Sequence, residues 1–141
     1  MKKSILILFI LSFSLCAFSQ TFKVYSYWDE AMKEPEKVQH LDLALKQLKE
    51  LPADIEKFVN LEILELSFNH LTDLPAELAK LQKLRILDLS GCRRMKNIPA
   101  VVKEIPNLKE LKILEIPEWS AAKKEAIIKE FPNLKVVTKE E

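Results

Sequence analysis

The stretch Leu61-x-x-Leu64-x-Leu66-x-x-Asn69-x-Leu71-x-x-Leu74-Pro75-x-x-Leu78-x-x-Leu81, followed by a fresh start at Leu84, decides the fold. Leucine recurs in it at intervals that fit neither a plain helix nor a plain strand. Leu64 and Leu66 flank Glu65, the alternation of a short strand with one buried face. Asn69 then turns the chain, and Leu71, Leu74, Leu78 and Leu81 bring it back along an outer wall. One such coil cannot bury its own leucines, so it needs copies stacked above and below.

The copies are present on either side. Val38, Leu41, Leu43, Leu48, Leu51-Pro52, Ile55 and Phe58 occupy the same positions one coil earlier. Leu84, Leu87, Leu89, Met95, Ile98-Pro99, Val102 and Ile105 occupy them one coil later, with Leu108, Leu111 and Ile113 opening a fourth copy and Leu134 and Val137 a stub. The starts at 38, 61, 84, 108 and 134 are separated by 23, 23, 24 and 26 residues. Over residues 38–137 the chain resembles the leucine-rich repeat family in its LP-x-x-L subtype. The resemblance implies an α/β solenoid, a short horseshoe whose parallel sheet lines the concave side. It also implies a surface that displays side chains to a protein or peptide.

The chain divides accordingly into a leader at 1–19, a helical cap at 20–37, four repeats at 38–133, and a closing strand and tail at 134–141. Strands are expected at 39–45, 62–68 and 85–91, paired in parallel on rungs about 4.8 Å apart. Short helical or irregular turns return along the convex side. Ser26 with Asp29 three residues on has the form of a capping box, opening a short helix that Pro35 stops. Trp28, Ala31 and Met32 then share one face that covers the first repeat; the other reading makes Tyr25, Tyr27 and Trp28 an exposed aromatic patch. In the fourth repeat Ile116-Pro117 replaces the corner Asn. Ser120 caps a true helix over 120–131 with Ala122, Ala126, Ile127 and Phe131 along one stripe. The two ends are therefore a helical cap and a helix–strand cap.

Lys2 and Lys3, the apolar run from Ile5 to Leu15 and small residues at Ala17 and Ser19 have the form of a secretory leader cut after Ser19. The apolar run is shorter than the roughly 20 residues a membrane span needs. Lipidation at Cys16 would want a smaller residue than Leu15 before it. Without Lys2 and Lys3, the 22 Lys and Arg fall to 20 against 21 Asp and Glu, a near-neutral chain with no basic excess for nucleic acid. Cys92 is left alone, so no internal disulfide forms. The lysine-containing leader and the lack of disulfide-bonded caps suggest a bacterial protein, exported to the periplasm, the cell surface or the medium, with no membrane span in its mature form.

No metal-ligand or catalytic motif is present. His40 and His70 leave from a strand and a corner loop, too far apart to share a metal, and an open wall leaves carboxylates solvated. No cofactor is implied, and the reading is of a non-enzyme. The corner Asn of such repeats bonds the backbone of neighbouring coils. Asn69 alone keeps it, with Lys46, Cys92 and Ile116 in the other three places, so the ladder is expected to be incomplete. Cys92 is either a thiol activated by Arg93 and Arg94 or a buried structural one. One extra residue in Arg93-Arg94-Met95 bulges at that corner, and Arg93, Arg94 and Lys96 form a basic edge, either solvated or facing an anion.

The outward columns of the concave sheet carry the functional reading. Asp42, Glu65 and Asp88, followed by Lys112, fall in one register; His40, Ile63, Ile86 and Glu110 fall two residues earlier. Just beyond the strands come Leu45, Phe68, Gly91 and Glu115. The result is an acidic rail beside an apolar patch. One reading is a binding face for a protein or peptide with basic and apolar groups, formed by Asp42, Glu65, Asp88, Ile63, Ile86, Phe68, His40 and Leu45. The other is that β-branched and aromatic residues suit strands while acids keep the sheet soluble. The functional expectation is an exported interaction module. Its rivals are a structural or adhesive surface protein, and a cytosolic scaffold if the leader stays uncleaved.

Overall fold

Each coil contributes three residues to one continuous sheet, because the Leu-x-Leu alternation leaves only that much chain extended between two turns. The structure, a computed structural model, describes residues 23–139. The leader, its cut after Ser19, Cys16 and the last two residues of the tail lie outside them. Six strands follow in chain order: β1 Val24–Tyr25, β2 His40–Asp42, β3 Ile63–Glu65, β4 Ile86–Asp88, β5 Glu110–Lys112 and β6 Lys135–Val137. All neighbours pair in parallel, in the order β1-β2-β3-β4-β5-β6. The strands are shorter than the sequence suggested, but the ladder runs on past them. Leu43 N–H donates to Glu65 O, Leu66 N–H to Asp88 O, and Leu89 N–H to Lys112 O, at 2.8–2.9 Å.

The register sets the core. Tyr25, Leu41, Leu64, Leu87, Leu111 and Val136 stand on successive rungs and point inward, so the last strand sits one residue off the expected register: Val136, not Val137, pairs with Leu111. Leu43, Leu66, Leu89 and Ile113 form a second inner column, and Ile55, Leu78 and Val102 face them from the convex side, all buried. Burying one such side chain is worth about 1.5–3 kcal/mol, so these columns dominate stability. The convex returns are 3-10 helices at Ala53–Lys57, Ala76–Lys80 and Ala100–Glu104, each opened by the Pro of its Leu-Pro or Ile-Pro pair. Ion pairs such as Lys80 with Glu56 join neighbouring coils there but stand in water. Such pairs contribute about 0–1 kcal/mol, and the leucine ladder outweighs them.

The leading cap differs from the expectation. It begins with β1, which adds a rung ahead of the first repeat and buries Tyr25 on top of Leu41. Only then comes α1, Trp28–Ala31, a single turn. Its N-cap is Tyr27, in extended geometry with no side-chain cap bond, so Ser26 and Asp29 make no capping box. The chain leaves β1 still extended through Tyr27, which moves the cap position one residue past Ser26. The covering face is as expected: Ala31 is buried, Trp28 and Met32 pack on the core, and the Trp28 ring meets Phe58 edge-on at 5.3 Å.

The closing cap holds α2, Ala121–Glu130, capped by Ser120, whose hydroxyl accepts from Lys123 N–H at 3.2 Å. Its packed stripe is narrower than the sequence implied. Ile127 and Phe131 are buried, whereas Ala122 and Ala126 face solvent. Trp119, just ahead of the helix, supplies the remaining bulk and donates from Nε1 to Met95 O at 3.0 Å.

Candidate functional site

The corner that follows each strand decides how the concave face ends. Four successive corners hold Leu45, Phe68, Gly91 and Glu115 at φ of 59°, 55°, 67° and 50°, the left-handed region. That conformation turns the backbone from the strand into the return. It costs a non-glycine residue about 1–3 kcal/mol. Three of the four corners bear that cost, and two of them carry a large apolar side chain. Leu45 is 71% exposed and Phe68 40% exposed.

Beneath these residues the corner is tied by Asn69, buried and fully used. Its Oδ1 accepts from Lys46 N–H at 3.1 Å and Leu48 N–H at 2.9 Å, and its Nδ2 donates to Leu43 O and Leu66 O at 2.8 and 2.9 Å. One coil on, Cys92 takes over: its thiol donates to Leu66 O at 3.3 Å. In the next coil Ser90 Oγ accepts from Leu114 N–H, and the Trp119 indole bonds Met95 O. The ladder of corner asparagines is incomplete, as expected: Cys92 donates one bond where Asn69 makes four close ones, and Ser90 and Trp119 each add one nearby. Among the described residues no buried side-chain nitrogen or oxygen is without a partner. Cys92 is buried, and burial pushes its thiol above the ordinary value of 9.0; a hydrogen bond with the Asn69 backbone opposes the rise and Asp88 adds to it. An activated thiol is therefore the wrong reading.

The outward columns fall as the sequence register placed them. His40, Ile63, Ile86 and Glu110 share one column, with Val24 ahead and Lys135 behind. Asp42, Glu65, Asp88 and Lys112 share the next. Ile63 and Ile86 are half-buried, flanked by their neighbours but open to the concave side. The acids have internal partners that the sequence did not reveal. Asp42 Oδ1 accepts from Ala44 N–H at 2.9 Å, and Asp88 Oδ1 accepts from Ser90 N–H at 2.8 Å. Each carboxylate thus fixes the start of its own corner, as aspartate does in turns. Glu65 Oε1 lies 2.9 Å from His40 Nε2 across the rung. Each acid of the rail thus has one hydrogen-bond partner within the chain. The spare lone pairs of the same carboxylates remain for a donor from outside.

Two recesses flank this face. One, of about 280 Å³, is lined by Phe68, Asn69, His70, Gly91, Arg93 and Arg94. The other, of about 200 Å³, lies between α1 and the first corner, walled by Tyr27, Trp28, Leu43, Leu48 and Pro52. Lys46 closes it, its Nζ 4.4 Å from the centre of the Tyr27 ring. No sequence signal announced this second recess, because it forms between the cap and the repeat. The described residues hold no group of three His, Cys, Asp or Glu able to bind a metal, and none of their helices is long and apolar enough to cross a membrane.

Comparison with known proteins agrees with the repeat pattern. The profile of the leucine-rich repeat region matches residues 10–139. No curated protein matches the chain. Among solved structures, a leucine-rich repeat protein of Leptospira interrogans is similar at 22% identity, over 64% of this chain and 35% of that one, with a TM-score of 0.43. The chain therefore spans little more than a third of that protein's length.

Proposed function

The chain belongs to the leucine-rich repeat family, whose members are in general protein-interaction modules, and from that premise we propose that it is exported and binds a protein or peptide on its concave sheet face. The observation that carries this reading is the pair Leu45 and Phe68. Both are large apolar side chains on adjacent rungs, held exposed in a backbone conformation that glycine or asparagine would adopt at lower cost. Ile63 and Ile86 continue the apolar surface onto the sheet, and Asp42, Glu65 and Asp88 border it. A partner with aliphatic or aromatic groups beside lysine or arginine fits that combination. The apolar groups displace water from the patch, and the cations meet the carboxylates at its rim.

Export rests on the sequence of residues 1–19. The non-enzyme reading rests on the openness of the wall, which leaves no carboxylate or histidine of the concave columns enclosed. The test uses the tagged full chain expressed in its source cells. Its location and the N-terminus of the recovered product report export, with Gln20 the expected first residue. Captured proteins are compared with those on a chain carrying Ile63→Asp, Phe68→Asp and Ile86→Asp, once circular dichroism shows the variant folded. A protein held by the native chain and lost by the variant supports the concave face. Equal recovery removes it, capture of the chain by itself favours the adhesive reading, and an uncleaved cytosolic product favours a scaffold.

A further inference from the structure

The second and third coils are built alike except at one point. Between Asn69 and Leu71 stands one residue, His70; between Cys92 and Met95 stand two, Arg93 and Arg94. Asn69 and Cys92 fill the same buried place, and Leu71 and Met95 are both buried beyond it. The fold thus needs one residue there, and the third coil has inserted another without disturbing the stack. Both inserted-corner residues are exposed arginines. Among the described residues neither has a carboxylate within ion-pair reach, although eight such pairs occur elsewhere on this surface. Asp73, the acid that lines the neighbouring recess with Arg94, has its Oδ1 held by Leu74 N–H at 2.8 Å.

These arginines form one wall of the recess whose other wall is Phe68. Its floor is Gly91, the single glycine of the chain, lying directly under the Phe68 ring. The recess therefore brings the Phe68 ring and two arginines without ion-pair partners among the described residues to one opening of about 280 Å³, beside His70. Guanidinium forks match a carboxylate in planar, bidentate geometry, and an aromatic face takes an apolar side chain.

The geometry points to this recess as a docking site for an acidic peptide segment, with an apolar or aromatic side chain against Phe68 and an adjacent Asp or Glu carboxylate between Arg93 and Arg94. The inference deepens the proposed function and rests on it in one respect: Phe68 belongs to both surfaces, so the peptide leaves the concave face across this corner. Its charge is opposite to that expected over Asp42, Glu65 and Asp88. The partner is thereby given a direction, basic over the sheet and acidic at the corner.

A random dodecapeptide library panned on the full chain tests this. The expected selection is Asp or Glu next to Phe, Tyr, Trp or Leu. Selected peptides should bind Arg93→Gln/Arg94→Gln about tenfold or more weakly, as loss of a paired charge predicts. The reversed variant, Arg93→Glu/Arg94→Glu, should select Lys or Arg in their place. Both variants are exposed substitutions, and an unchanged unfolding midpoint confirms the fold. Undiminished binding on the glutamine variant overturns the inference. So does binding of phosphatidylserine-containing vesicles without selection of acidic peptides, which would make the corner a membrane contact, and so does equal displacement by inorganic phosphate. Ile63→Asp/Ile86→Asp separates the two readings. If it leaves selected peptides bound, the recess stands and the concave face falls; loss on that variant with retention on the arginine variants gives the reverse.

Discussion

The Phe68 ring occupies the space that a side chain on Gly91 would need: a Cβ there would lie 2.5 Å from Phe68 Cδ1 and 2.7 Å from Cε1. Gly91 also sits at φ +67°. The same corner accepts leucine, phenylalanine and glutamate on other rungs, so conformation alone does not demand glycine here. The neighbouring ring does. Gly91→Ala should cost about 2–4 kcal/mol, combining left-handed strain with displacement of the ring. In a Phe68→Ala background the same change should cost only about 1–2 kcal/mol, the conformational part. Urea unfolding of the four proteins of the cycle measures the difference, and additive costs would show that ring and glycine do not interact.

The inner leucines should be far more sensitive than the outer isoleucines. Leu64→Ala and Leu87→Ala remove fully buried side chains and should each cost about 2–5 kcal/mol. Ile63→Ala, one residue from Leu64 and facing out, should cost well under half as much. Comparable losses at Leu64 and Ile63 in chemical denaturation would mean that the outward column is packed.

Asn69 joins two coils through four close main-chain bonds. Asn69→Ala should cost about 3 kcal/mol or more, because each buried group left unpaired costs about 1–3 kcal/mol. Hydrogen exchange locates the damage. Lys46 and Leu48 N–H should lose protection first, while β5 and β6 keep theirs.

Cys92 should resist alkylation in the folded chain and react at once on unfolding. Its raised pKa has a consequence for stability as well. Near neutral pH the thiol is protonated in both states, and the two do not differ. Above the ordinary value of 9.0 the unfolded thiol ionises while the folded one stays protonated, so stability falls as pH rises through that window. Cys92→Ala should flatten this alkaline decline in thermal unfolding between pH 8 and pH 10, relative to the native chain. An equally steep decline in both would assign it to other groups.

Much of this architecture was legible in the leucines. Their spacing placed Leu41, Leu64, Leu87 and Leu111 on one inner column and put His40, Ile63, Ile86 and Glu110 in one outer register, because burial of one strand face fixes register strongly. The first rung escaped notice. Val24–Tyr25 is two residues long, and no periodicity survives at that length. Helical spacing alone predicts a wider stripe on α2, because it cannot show that the last coil covers only Ile127 and Phe131. Asp42 and Asp88 hold the outward register that the spacing predicts. Their bonds to Ala44 and Ser90 N–H depend on a local turn that apolar patterning does not reveal. The left-handed corners were invisible for a similar reason: Leu45 and Phe68 are residues that propensity would not place there.

Isoleucines occur on the sheet, beneath the convex side and on α2, which makes their methyl groups the most direct report on where a partner sits. Ile63 and Ile86 lie on the concave sheet, Ile55 and Ile105 are buried beneath the convex side, and Ile128 is exposed on α2. Methyl spectra of the labelled chain, recorded while the captured partner is titrated in, should show large shifts at Ile63 and Ile86 and little change at Ile55, Ile105 and Ile128. Shifts confined to Ile128 or the convex side, with Ile63 and Ile86 unmoved at saturation, would contradict binding on the concave face.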